Sequence, residues 1–174
     1  MKQILKPEEI AITIKRLAQQ ITENHSDFSK VALIGLQPRG VYLSDRIYAE
    51  VCKLIKGTVD YGKLDITFYR DDVRNELHTA NKTDILFSIA GKEVILIDDV
   101  LYTGRTTRAA FDALLDYGRP KKVELCVLID RRFTREFPIQ ADYVGKYIDS
   151  FETQKVLVRW KENSDKDQVT ITEE

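Results

Sequence analysis

At 174 residues the chain has the length of one domain, and its 43% of hydrophobic residues suffice for a core that needs no disulfide or metal staple. Its 27 Lys and Arg against 28 Asp and Glu leave a formal charge of −1, which argues against whole-protein attraction to nucleic acid but permits a local basic face. No apolar run has the length of a membrane span and no signal-peptide pattern opens the chain, so a cytoplasmic location is expected. Two cysteines without Cys-x-x-Cys spacing and two histidines argue against a disulfide framework or a protein-built transition-metal site.

Pro7 suits a first helical turn, and Ile10, Ile14, Leu17, Ala18 and Ile21 follow at helical spacing. Val31 to Ile34 reads as a short buried strand. The turn Gln37-Pro38-Arg39-Gly40 comes next, then a helix to about Ile55 that Gly57 ends. Leu64 to Tyr69 has strand composition. Arg70 to Ser88 is polar and aperiodic, too long for a plain connection, and reads as a functional lid. Val94 to Ile97 begins a strand whose following helix places Ala109, Leu114 and Leu115 inward and stops at Gly118-Arg119-Pro120. Val123 to Ile129, Tyr143 to Tyr147, Val156 to Trp160 and Val169 to Thr172 are further strand candidates. Cys52 and Cys126 each sit in an apolar stretch and read as small core residues. Alternating strands and helices predict an α/β domain over residues 1–174, with a mostly parallel central sheet and helices on both faces.

The run from Val94 to Thr107 carries the chemistry. Four apolar residues lead into Asp98-Asp99, and a turn with Thr103, Gly104, Thr106 and Thr107 stands where a helix begins. Ligands of open α/β sheets bind at the carboxyl ends of such strands, and the unpaired N–H groups of a helix N-terminus attract anions. Carboxylates repel phosphate, so the acid pair must face hydroxyls or a metal. Together these features spell a ribose 5-phosphate site; the plain alternative is a solvated turn with ordinary N-caps. Pro38-Arg39-Gly40, on the same sheet edge, is either a simple turn or a loop for pyrophosphate, with Arg39 supplying charge and Gly40 close backbone approach. Gly57 to Lys63 matches the first seven positions of a P-loop, but Leu64 and a strand follow, so the match is coincidental.

Asp98-Asp99-Val100-Leu101-Tyr102-Thr103-Gly104-Arg105-Thr106 resembles the phosphoribosyl-pyrophosphate (PRPP) signature of the type I phosphoribosyltransferases. The variant is that of the bifunctional pyrimidine-operon attenuators that are also uracil phosphoribosyltransferases. Tyr69-Arg70-Asp71-Asp72 and Ala141 to Lys146 resemble the same group, and the likeness runs from about Ile4 to Val158. It implies the type I fold with a mobile lid and a small base-covering hood. It also implies conversion of uracil and PRPP to UMP and pyrophosphate, with Mg2+ held mainly by substrate and water near Asp98 or Asp99. By the same resemblance Asp98, Asp99 and Arg70 are catalytic, and Pro38, Arg39, Gly40 and the run Asp98 to Thr106 bind PRPP. Arg131, Val156 and Val158 face the base, the Pro38–Arg39 peptide is cis, and the chain forms a homodimer or larger homo-oligomer.

Two departures bear on RNA. Pro38 stands where the group usually has Thr, and Asp130-Arg131-Arg132-Phe133-Thr134-Arg135-Glu136-Phe137-Pro138 replaces Asp-Arg-Gly-His-Arg-Glu-Leu-Pro. In the group that Thr, the His of the Gly-His and basic residues on the first helix belong to the RNA-binding face. Lys15 and Arg16 are present there, while Gln19 and Asn24 replace expected basic or imidazole groups. The expectation is an intact enzyme whose UMP-dependent binding of pyrimidine-operon leader RNA is weaker than the group's norm or absent. The alternatives are an attenuator with weak transferase activity, or a transferase for another base.

Overall fold

The computed structural model describes residues 1–69 and 82–173. A five-stranded parallel sheet organises them, in the order β3-β2-β4-β5-β6: β2 is Val31–Gln37, β3 Asp60–Asp65, β4 Glu93–Leu101, β5 Lys122–Arg132 and β6 Tyr143–Asp149. Both faces are covered, as the near-continuous apolar runs require. Helices α1 (Pro7–Asn24) and α2 (Gly40–Ile55) cover one face, meeting Leu33, Ile95 and Leu128. Helix α3 (Arg105–Leu114) covers the other, meeting Ile34, Leu36, Leu96 and Val127. Successive residues of β2 and β4 thus serve opposite cores, the period-two rule of a strand buried on both sides.

Helix α1 begins as expected with Pro7 in its first turn, and the Lys6 N–H donates to Glu9 Oε2 at 2.8 Å. Its buried stripe is Ile10, Thr13, Ile14, Leu17, Ala18 and Ile21, and each fully buried Leu or Ile contributes roughly 1.5–3 kcal/mol. At the far end His25 Nδ1 lies 2.8 Å from Glu93 Oε2, and Nε2 lies 2.8 Å from Glu124 Oε2. This ties the end of α1 to the starts of β4 and β5, away from the strand ends where ligands bind.

A three-stranded antiparallel sheet, β1-β8-β7, forms the smaller layer, with β1 Lys2–Leu5, β7 Gln154–Arg159 and β8 Gln168–Glu173. The N-terminal strand β1 was not expected. Lys2-Gln3-Ile4-Leu5 is too short to show alternation, and its pairing with β8 decides it. Three other expectations need correction. The strand expected over Leu64 to Tyr69 instead ends at Asp65. There Oδ1 accepts from the Thr67 N–H at 2.9 Å and from Thr67 Oγ1 at 2.6 Å, turning the chain into a 3-10 turn, Thr67–Tyr69. Leu115 is 64% exposed rather than inward, because α3 gives way after Leu114 to a 3-10 turn that rotates it out. The left-handed residue that closes α2 is Lys56, with φ 52°, and Gly57 follows it. The expected lid falls mostly outside the described residues. Of its remainder, Asp84 bridges Lys63.

Candidate active site

Strand β4 runs through the acid pair, so Asp98 and Asp99 have strand backbone and are anchored by β5 on one side. Both are buried. The Asp99 N–H donates to Asp98 Oδ1 at 2.9 Å, and Arg39 Nε stands 3.8 Å from Asp99 Oδ2. Burial pushes the Asp98 carboxyl well above the usual carboxylate range, and the neighbouring Asp99 charge adds to this. Asp99 is raised by burial too, with Arg39 pulling it back. Both carboxyls face the cavity, where hydroxyl donors or a cation could satisfy them.

After Leu101 the chain turns through Gly104, whose φ of +90° suits glycine and whose position is the N-cap of α3. Arg105 N–H donates to Thr103 Oγ1 at 3.3 Å. The segment after β5 supports this turn from behind. Glu136 and Phe137 N–H groups donate to the Thr103 carbonyl at 2.9 and 3.1 Å, Glu136 pairs with Arg105, and Phe137 lies under the guanidinium groups of Arg105 and Arg108. The α3 N-terminus is therefore held in place from behind, and its first N–H groups carry the partial positive charge of a helix start.

Gly40 opens α2 against β4. A Cβ there would sit 2.6 Å from the Ile97 carbonyl oxygen and 3.0 Å from Asp98 Cα, so only glycine lets the Pro38-Arg39-Gly40 loop approach the acid pair. The cis peptide in this loop is Gln37–Pro38, one position before the Pro38–Arg39 bond expected from the sequence; proline is the residue for which the cis form is least unfavourable.

These elements enclose a cavity of about 390 Å3, lined by Arg39, the continuous run from Asp98 to Thr107, Arg131 and Val156. That volume is in the ~300–1,000 Å3 range of small-molecule sites. Of the expected site residues, Pro38, Gly40 and Val158 are not in this lining: Pro38 and Gly40 adjoin Arg39 in the chain, Val158 is partly buried against the core, and Arg70 lies outside the described residues. Glu152, Gln154 and Lys155 line it without having been expected. Their signal was their position beside Val156, on the approach to a short strand. The residues assigned by resemblance to RNA lie elsewhere: Lys15 is exposed on α1, and Arg16 donates to the carbonyls of Val144 and Gly145.

The phosphoribosyl transferase domain model matches residues 1–163. The chain belongs to the phosphoribosyltransferase family. Within it, the chain groups with the bifunctional PyrR proteins. It is 44% identical to that of Elusimicrobium minutum over 98% of this chain and 97% of the relative, and 45% identical to that of Enterococcus faecalis over 93% of each. In fold it is similar to the hypoxanthine phosphoribosyltransferase of Trypanosoma cruzi, with a TM-score of 0.75 at 19% identity over 99% of this chain and 97% of that one. A hypoxanthine-guanine phosphoribosyltransferase from Bacillus anthracis gives 0.68 at 21% identity, over 86% and 83%. The transferase fold and the family expected from the acid-pair motif are thus borne out. No helix among the described residues is long and apolar enough to cross a membrane.

Proposed function

We propose that this phosphoribosyltransferase converts uracil and PRPP to UMP and pyrophosphate. One observation carries the reading: the acid pair of β4, the N-terminal turn of α3 and the start of β7 converge on a single cavity. Asp98 and Asp99 accept the ribose hydroxyls, Thr103 to Thr106 with the α3 N-terminus hold the 5-phosphate, and Arg39 and Gly40 grip the pyrophosphate. As pyrophosphate leaves, the ribosyl carbon gains cationic character. Two buried carboxylates beside the sugar then stabilise the transition state more than the ground state. No covalent nucleophile is needed, since aligning two substrates supplies much of the acceleration. Base choice follows from the family group, with Val156 at the base and the peptide groups of β7 suited to an edge that alternates carbonyl and N–H.

The donor set fits magnesium. Hard carboxylate oxygens are present at Asp98 and Asp99, and no cluster of three or more protein ligands is found among the described residues. A cation held mainly by the substrate's pyrophosphate and water, with one of these carboxylates adjacent, matches magnesium's habit. When bound it neutralises charge on the departing pyrophosphate. The test is product formation from PRPP, Mg2+ and a panel of uracil, cytosine, orotate, hypoxanthine and guanine. UMP as the main product supports the proposal; a purine nucleotide or orotidylate as the main product overturns it.

A further inference from the structure

Arg131 is 4% exposed at the carboxyl end of β5. A guanidinium so far from water must find acceptors or aromatic faces within the protein. Its Nε donates to Ser150 Oγ at 2.9 Å, and Nη2 donates to the carbonyl oxygens of Phe151 at 3.1 Å and Gln154 at 2.8 Å. Its Cζ lies 3.8 Å from the centroid of the Tyr102 ring. Three pieces of chain therefore meet on one side chain: the turn after β4, the end of β5, and the 150–154 loop that leads into β7.

That loop makes its own bonds, but they close it only on itself. Phe151 N–H donates to Gln154 Oε1 at 3.0 Å, and Gln154 N–H donates to the Phe151 carbonyl at 3.0 Å. Such bonds fix the loop's shape, while the pairing of Asp149 with β5 and of Gln154 with β8 holds its two ends. Phe151 adds no anchor, being 77% exposed. Between those ends the Arg131 fork ties the loop to the turn after β4, beside Tyr102 and Val156, both of which line the cavity.

We propose that Arg131 is a positioning residue that sets the width of the slot for a planar base, acting through Ser150, Phe151 and Gln154 instead of through its own contact with the base. This rests on the transferase reading above. The argument turns on the shape of the group as much as its charge. Arginine offers in-plane N–H donors in fixed directions and a flat face that stacks on an aromatic ring; lysine offers a compact point charge on a flexible stem. Arg131→Lys keeps the charge and loses the fork, so it separates the two roles. Ser150→Ala removes one acceptor from the loop without touching the phosphate turn.

The test compares full-length wild type, Arg131→Lys, Ser150→Ala and the double variant in two measurements. In amide hydrogen exchange without substrates, Arg131→Lys speeds exchange across 150–156 by about tenfold or more while α1 and the central strands keep their protection. In steady-state kinetics, its KM for uracil rises about tenfold or more, with KM for PRPP and kcat at saturating uracil within about threefold of wild type. Ser150→Ala moves both readings the same way by less, and the double variant is no worse than Arg131→Lys, because both act through one link. Unchanged exchange over 150–156 with a raised KM for uracil makes Arg131 a direct base ligand and overturns the proposal. Wild-type kinetics in Arg131→Lys, or an equal rise in both KM values, overturns it too. Should wild type form no UMP, the transferase reading has failed, and the exchange measurement alone decides whether Arg131 positions the loop. If Arg131→Lys does not fold, Ser150→Ala carries both measurements.

Discussion

Asparagine at position 98 separates what the fold tolerates from what the chemistry needs. Asp98 is 8% exposed, Asp99 3%, and the first accepts the N–H of the second at 2.9 Å. Asparagine has nearly the same volume and a carbonyl oxygen that can keep that bond, so packing is preserved. The charge is not. A charge-assisted bond to a ribose hydroxyl contributes roughly 1.5–3 kcal/mol, and its loss lowers kcat/KM by roughly tenfold to a hundredfold or more. Stability moves the other way. The Asp98 carboxyl titrates higher in the folded chain than in the unfolded one, because of burial and then of Asp99. A raised folded value gives stability that is fully present below the unfolded carboxylate value, about 3.9, and lost as pH rises through the folded one. Asp98→Asn abolishes that loss. The variant should match wild type in Tm near pH 4 and exceed it increasingly towards pH 8, each kcal/mol of relieved repulsion raising Tm by roughly 2–4 °C. Thermal unfolding across that range, beside UMP-formation kinetics, checks both halves. Near-normal turnover, or a variant less stable than wild type at pH 8, would refute the reasoning.

Gly40→Ala should cost roughly 1–3 kcal/mol by overpacking and raise the KM for PRPP, since its Cβ meets the Ile97 carbonyl oxygen at 2.6 Å; denaturant titration and kinetics measure the two effects. His25→Gln should lower stability by roughly 1–3 kcal/mol with little effect on kcat, because it breaks the link from α1 to Glu93 and Glu124 at the sheet end opposite the cavity. Lys121 and then His25 hold the Glu93 carboxyl below its usual range, a stabilisation present above the ordinary glutamate value and lost as pH falls through the folded one. The acid limb of the stability profile should therefore be shallower in His25→Gln. Binding to a pyrimidine-operon leader hairpin at physiological salt, with UMP present, should be weak or absent in a filter assay across a salt series; nanomolar affinity would contradict it.

How much was legible in the sequence depended on how local the cause was. The α1 stripe, the two-sided strands β2 and β4 and the α3 N-terminal turn follow from periodicity and from residues within a few positions, and each lies where the sequence put it. The misses have non-local or side-chain causes. Strand β1 exists because β8, more than 160 residues away, offers it a ladder. The strand expected to reach Tyr69 stops because the Asp65 carboxylate captures Thr67, a competition that composition cannot reveal. Around the cavity, the acid pair and the turn before α3 were readable because one continuous run supplies them. Glu152, Gln154 and Lys155 were not, because they reach the cavity only through the placement of β7 and the loop before it.

The segment after β5 shows why departures from the attenuator pattern need not erode the enzyme. Two basic side chains of this segment are paired within the fold. Arg132 pairs with both carboxylate oxygens of Asp149. Arg135 pairs with Asp130 and donates to the carbonyls of Leu101, Tyr102, Arg131 and Ile139. Those carbonyls belong to the ends of β4 and β5 and to the segment itself, so Arg135 stiffens the same turn that Glu136 and Phe137 hold through the Thr103 carbonyl. The added residue is accommodated at Phe133, which takes a left-handed φ of 70° and stays outside the core. Arg135, Glu136 and Phe137 thus contact the turn before α3, while Phe133 at the tip of the segment is exposed.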